Sequence, residues 1–170
     1  MIYLNIGSNL SSSKGDRLYN LKKSIELLNA NNLKIIKISK IYETPSYPDK
    51  KNPNFLNICL CIESKEKAEL LIKKFKAIEK KLQRNRGLKN QPRTCDIDII
   101  DYNGKIINTN KIIVPHPRAH LRNFVLYPLR EISPEWVHPL LNKKIELLIK
   151  KLNFKLRNEI TRLSESVIIE

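Results

Sequence analysis

An α+β sandwich built on an antiparallel sheet is the fold class this sequence predicts, and three features predict it. Short apolar stretches with the strand period of two alternate with two long segments of helical period. Loops rich in Gly, Pro, Asn and Ser separate them. The resulting order over the first hundred residues is β-α-β-β-α-β, the ferredoxin-like arrangement in which both helices lie on one face of the sheet. A chain of 170 residues suits one hydrophobic core.

Each element has its own signal. MIYLNI is the first strand, and GSNLSSSKGD after it is a turn-rich loop in which Gly7 reads as a turn glycine. Asp16 offers an N-cap to a helix with Leu18, Leu21, Ile25 and Leu28 at helical spacing. KIIKISKIYET alternates as one half-buried strand, and PSYPDKKNPN leads to the third strand, FLNICLCIES. A second helix carries Ala68, Leu71, Ile72, Phe75, Ile78, Glu79 and Leu82. The loop RNRGLKNQP then precedes a fourth strand, TCDIDIID, and a small strand is expected near Lys105 to Asn108. The remainder reads as loops and short helices added at the C-terminal side. One domain over residues 1–156 and a tail over 157–170 is the expected division.

The net charge of +15 invites a polyanion as partner, but 23 of the 32 cations are Lys, scattered among Ile and Asn. A solvated lysine surface explains most of that charge, so the arginines matter more. Cys59, Cys61 and Cys95 form no CxxC spacing, which argues for reduced core thiols and against a disulfide framework or zinc site. No apolar run is long enough to span a bilayer, and the N-terminus lacks the pattern of a signal peptide. A cytoplasmic protein with no membrane partner is expected.

The run QPRTCDIDII carries the chemistry. In a strand, Asp96 and Asp98 fall on one side with Cα atoms roughly 7 Å apart, while Cys95, Ile97 and Ile99 face the other. Carboxylates are unusual in strands, and two at this spacing repel unless a cation sits between them. Mg²⁺ takes one or two carboxylates and completes its shell with water and substrate phosphates. Arg84 and Arg86 precede the strand, Arg93 opens it, and Lys111, His116, Arg118 and Arg122 follow. Arginine forks suit phosphate oxygens, so the set describes a site for a metal-bound polyphosphate. The bland alternatives are a solvated strand face and ordinary surface arginines. The sequence holds no GxxxxGK[ST] loop, and His116 with His120 lacks the Glu of a zinc-binding HExxH.

PRTCDIDII, the RNR loop before it and VPHPRAHLRNFVLYPL after it closely resemble the 6-hydroxymethyl-7,8-dihydropterin pyrophosphokinases of folate synthesis. NIGSNL, and YETP followed by FLN, are similar to that family too, so the resemblance runs from residue 2 to about 140. It implies transfer of pyrophosphate from ATP to the hydroxymethyl group of the pterin. By position, it implies Asp96 and Asp98 as holders of two Mg²⁺ ions bound with ATP. It implies Arg84 and Arg86 on a loop closing over the nucleotide, with Arg93, Lys111, His116 and Arg122 on the polyphosphate or ribose, and Glu79 beside them. Phe55 and Phe124 would stack the pterin, while Thr44, Pro45 and Asn57 would read its edge. For the two phenylalanines alone, core packing is the plainer reading. Asp96 is the nearest candidate for a general base. The family commonly has Trp-Gly where this chain has Asn90 and Gln91, and Tyr47 is the aromatic that could compensate.

An RNA-binding module of the same fold is the contrasting reading. Such modules display aromatics on their central strands, whereas NICLCIE has none and the fourth strand carries carboxylates, so no nucleic-acid partner is expected. A closer alternative is another nucleotide-dependent transferase, against which Phe55, Asn57 and Phe124 argue. A monomer or weak dimer is expected.

Overall fold

The computed structural model describes residues 1–85 and 91–167. The elements follow in chain order. β1 (Ile2–Ser8) leads to α1 (Arg17–Ala30), then β2 (Lys34–Ile38), β3 (Tyr42–Thr44), β4 (Phe55–Glu63), α2 (Ala68–Lys81) and β5 (Asp96–Tyr102). β6 (Ile107–Asn108) and β7 (Ile113–Val114) form a small ribbon, and a 3₁₀ turn (Ala119–Leu121) enters α3 (Asn123–Ile132). The hairpin of β8 (Val137–His138) and β9 (Lys143–Lys144) precedes α4 (Ile145–Lys151), α5 (Phe154–Asn158) and β10 (Thr161–Arg162).

The main sheet is antiparallel throughout, with order β10-β3-β4-β1-β5 and β2 also on β4. This is the predicted α+β sandwich. Ile2, Leu4 and Ile6 of β1, Ile58, Leu60 and Ile62 of β4, and Ile97 and Ile99 of β5 share one face. They pack with Leu21, Ile25 and Leu28 of α1 and Leu71, Phe75 and Ile78 of α2. Full burial of one such side chain contributes roughly 1.5–3 kcal/mol. The Asp16 carboxylate caps α1 as predicted, accepting from Tyr19 N at 2.8 Å.

The C-terminal additions cover part of the opposite face. Cys59, Cys61 and Ile100 pack there against Val125, Leu126 and Leu129 of α3 and Leu148 and Ile149 of α4. β4 is therefore buried on both sides, which is why its sequence is almost continuously apolar.

The single strand expected over 34–44 is two strands. Between them Ser39 N donates to Cys59 O at 3.0 Å, and Ser39 Oγ accepts from Cys59 N at 2.9 Å. The hydroxyl thus takes a ladder position that a backbone carbonyl would otherwise fill. β1 also continues through Gly7 and Ser8, so Gly7 is a strand residue, not a turn residue. From Arg157 to Val167, the segment expected as a tail runs back along the sheet. β10 pairs with β3, Arg162 Nη2 meets Glu131 Oε1 at 3.0 Å, and Val167 is buried.

Candidate functional site

The face of the sheet that α3 and α4 leave open is the floor of a cleft of about 1640 Å³. Strand register lays that floor in rows. Gly7 of β1 pairs with Asn57 on one side and Asp96 on the other. In the next row Asn5 lies between Cys59 and Asp98. The alternation that sends Ile6, Ile58 and Ile97 into the helical core sends Gly7, Asn57 and the carboxylates into the cleft.

One end of the cleft is cationic. Arg84 Nη1 donates to Asp96 Oδ1 at 2.6 Å, and Arg93 Nη1 donates to Asp96 Oδ2 at 2.7 Å. Arg84 also bonds the buried carboxylate of Glu79, whose Oε1 accepts from Ile97 N at 3.0 Å. Glu79 thus ties the end of α2 to the start of β5 and aims Arg84 at Asp96. One arginine donates to each Asp96 oxygen, which fixes the carboxylate on the cleft floor.

Asp98 is placed differently. Arg122 Nη1 and His116 Nε2 stand 3.9 and 3.8 Å from its Oδ2, and among the described residues it accepts no hydrogen bond. Burial and the Asp96 charge push its carboxyl up to about 7, against the partial relief given by Arg122. Burial, together with the charges of Arg122 and Arg118, pushes the His116 imidazole down to about 4, so it is neutral at pH 7.

The donor set suits a hard divalent cation. Two carboxylates lie on one strand face, and burial together with the Asp96 charge raises the carboxyl of Asp98, a cost that a bound cation would relieve. Among the described residues no group of three or more His, Cys, Asp or Glu side chains could hold a metal. A cation at Asp96 and Asp98 would therefore draw its remaining ligands from water and substrate, as Mg²⁺ does in phosphate sites.

The other end is aromatic and amide-lined. Asn57 Nδ2 donates to Thr44 Oγ1 at 3.3 Å, and both side chains are buried. The guanidinium of Arg93 lies 5.5 Å over the Phe55 ring, and that of Arg122 lies 5.3 Å over the Phe124 ring. Both phenylalanines are half-buried and line the cleft, and Phe124 also packs against the core beneath α3. Gly7 keeps this end open. A Cβ there would stand 3.0 Å from Asn57 Oδ1 and 3.5 Å from Phe55 Cδ1.

Every predicted site residue within the described chain lines this one cleft: Thr44, Pro45, Phe55, Asn57, Glu79, Arg84, Arg93, Asp96, Asp98, Lys111, His116, Arg122 and Phe124. Arg86 lies outside the described residues, as does Asn90. The sequence carries no signal for Asn5, a buried amide on the floor whose Oδ1 has no hydrogen-bond partner among the described residues. It carries none for Lys155, Leu156 and Glu159 either, which form an outer wall of the cleft. Tyr47 lines it too and is 87% exposed.

Comparison with known proteins shows the family. Residues 3–134 match the family model described as 7,8-dihydro-6-hydroxymethylpterin-pyrophosphokinase. The chain is 38% identical over 145 residues to the 2-amino-4-hydroxy-6-hydroxymethyldihydropteridine pyrophosphokinase of Aquifex aeolicus, covering 85% of this chain and 88% of that one. It is 35% identical over 151 residues to a folic acid synthesis protein of Pneumocystis carinii, of which it spans only 20%. A wild-type HPPK-DHPS crystal structure from Plasmodium falciparum superposes with a TM-score of 0.68 at 18% identity, covering 95% of this chain and 47% of that one. That likeness bears on the fold alone. The family match spans most of the chain and the Aquifex relative matches it nearly end to end, so the chain belongs to the 7,8-dihydro-6-hydroxymethylpterin-pyrophosphokinase family of enzymes.

Proposed function

We propose that the protein transfers pyrophosphate from ATP to the hydroxymethyl group of 6-hydroxymethyl-7,8-dihydropterin, with two Mg²⁺ ions bound at Asp96 and Asp98. The observation that carries this reading is the two-ended cleft. Arginines and two carboxylates converge at one end, and Phe55, Phe124, Thr44 and Asn57 at the other, with one row of the sheet joining Asn57 to Asp96 through Gly7.

The chemistry follows from placement. The substrate hydroxyl attacks the β-phosphorus in line and loses its proton to solvent, the new O–P bond forms, and the bond to the oxygen bridging the α- and β-phosphorus breaks to release AMP. Bound Mg²⁺ would supply charge neutralisation and lower the pKa of the attacking hydroxyl. Arg84, Arg93 and Arg122 present donors to the phosphate oxygens. Neutral His116 offers a hydrogen bond without adding a third cation beside Arg118 and Arg122. Phe55 and Phe124 hold a flat ring, and Asn57 and Thr44 supply amide and hydroxyl partners for its polar edge. This orientation reduces the entropic cost of bringing acceptor and phosphate together.

The test is ³¹P NMR of the protein with ATP, Mg²⁺ and the pterin alcohol. AMP and a new pterin diphosphate are expected, with both abolished by EDTA. ADP and inorganic phosphate, or unchanged ATP, would overturn the assignment of the acceptor.

A further inference from the structure

Asn9 follows β1 directly, is 2% exposed, and spends its whole side chain on two other segments. Its Oδ1 accepts from Arg93 N at 2.7 Å. Its Nδ2 donates to Ser46 Oγ at 3.0 Å and to Pro53 O at 3.2 Å. Arg93 O in turn accepts from Asn9 N at 3.0 Å and Leu10 N at 3.1 Å. Ser46 is buried as well, and its hydroxyl donates to Pro53 O at 2.5 Å.

These contacts join the two ends of the cleft. Ser46 and Pro53 lie near the two ends of the loop between Thr44 and Phe55, so one amide ties both ends together. The same amide fixes the backbone of Arg93, whose guanidinium binds Asp96 and lies over Phe55. We propose that Asn9 is a positioning residue for the acceptor: it holds the Thr44–Phe55 loop in register with the arginine and carboxylate that face the phosphates. This rests on the reading that Thr44, Phe55 and Asn57 bind the pterin. Asn9 touches no reacting atom itself.

The residue type follows from the contacts. A backbone N–H requires an acceptor, while a hydroxyl oxygen and a carbonyl require donors. Only an amide presents both at this reach. Aspartate keeps the shape and the acceptor for Arg93 N but sets a carboxylate oxygen against the Pro53 carbonyl.

Asn9→Asp therefore separates the two attachments. It is expected to raise the KM for the pterin about tenfold or more, the loss anticipated when buried hydrogen bonds break, with the KM for ATP within about twofold of wild type. Ser46→Ala is expected to move the same constant in the same direction by less, and it decides the matter if Asn9→Asp does not fold. Asn57→Ala serves as the control for the pterin site. If Asn57→Ala raises the pterin KM and both other variants leave it unchanged, the role of Asn9 is refuted and the site stands. Equal rises in both KM values with a lowered melting temperature would make Asn9 merely structural and also refute the proposal. If Asn57→Ala has no effect on the pterin KM, the site reading falls and the proposal with it.

Discussion

Replacing Glu79 by Ala tests whether α2 and β5 are locked together from inside the cleft. The Glu79 side chain is 6% exposed and that of Arg84 is 18% exposed. Removing one partner of a buried ion pair costs about 3–5 kcal/mol, chiefly because the other charge is stranded. Arg84 is not fully stranded, since it keeps Asp96 at 2.6 Å and some access to water, so roughly 2 kcal/mol is appropriate here. Ile97 N loses its acceptor in the interior, which adds about 1–2 kcal/mol. The expected total is about 3–4 kcal/mol, a large fraction of the stability of a domain this size. In urea titrations at pH 7, a slope near 2 kcal/mol/M converts that into a midpoint lowered by roughly 1.5–2 M. Glu79→Gln retains an acceptor for Ile97 N and is expected to lose only about 1–2 kcal/mol. A loss below about 1 kcal/mol for Ala, or equal losses for Ala and Gln, would refute the locking role.

Three further outcomes follow from the same geometry. Asp98→Ala should lower kcat by about a hundredfold or more while the melting temperature holds, because the carboxylate faces the cleft and accepts no hydrogen bond from the described residues; near-normal turnover would remove Asp98 from the metal site. Gly7→Ala should raise the pterin KM about tenfold with the fold retained, because its Cβ displaces Asn57 Oδ1 and disturbs the bond to Thr44; an unchanged KM would show that Asn57 has room to move. The third concerns pH. Burial alone would raise the Glu131 carboxyl, but Arg162, Tyr42 and the Lys40 N–H outweigh it and hold the pKa below the ordinary 4.5. A depressed native pKa means that the stabilising contribution is fully present above about pH 4.5 and is lost as pH falls through the lower native value. Proteolysis near β10 should therefore rise on acidification through that window in wild type, and already be high and insensitive to it in Glu131→Gln. Equal pH dependence in the two proteins would refute the linkage.

The parts legible in the sequence are those written in local periodicity. Ile2, Leu4 and Ile6, and the Leu21, Ile25 and Leu28 stripe, repeat at fixed spacing and can be read without their partners. Asp96 and Asp98 stood out because carboxylates interrupt that pattern. What the sequence hid depends on single residues meeting distant segments. Asn9 reaches Arg93, Ser46 and Pro53 across the chain, and nothing near residue 9 announces them. Gly7 resembled any turn glycine until register placed it between Asn57 and Asp96. α5 has five residues and none of them is buried, so it carries no amphipathic signal, although its own Lys155 and Leu156 wall the cleft.

β5 shows how a mostly apolar strand carries three acidic residues without burying one in a hydrocarbon core. With strict alternation from Asp96, the cleft face would take Asp98, Ile100 and Tyr102, and Asp101 would point into the packing of α1 and α2. An isolated charge there would cost far more than the strand gains by pairing. The register with β1 breaks instead: Leu4 pairs with Ile99 and Tyr3 pairs with Asp101, leaving Ile100 as the extra residue of a bulge. Ile100 packs beneath α3, and Asp101 lies on that same side, where its carboxylate accepts from Trp136 Nε1 at 2.7 Å and from Gly104 N at 2.8 Å. Tyr102 returns to the helical core, and its hydroxyl reaches Glu66 O at 2.7 Å. The bulge thus divides one face into an open half, where Asp96 and Asp98 meet arginines and the cleft, and a covered half, where the third carboxylate is fully hydrogen-bonded. Trp136 is buried over Asp101, and His138 packs against it and against His120 in the turn that leads to Arg122. The same irregularity that shelters Asp101 therefore supports the segment presenting His116, Arg118 and Arg122 to the open half.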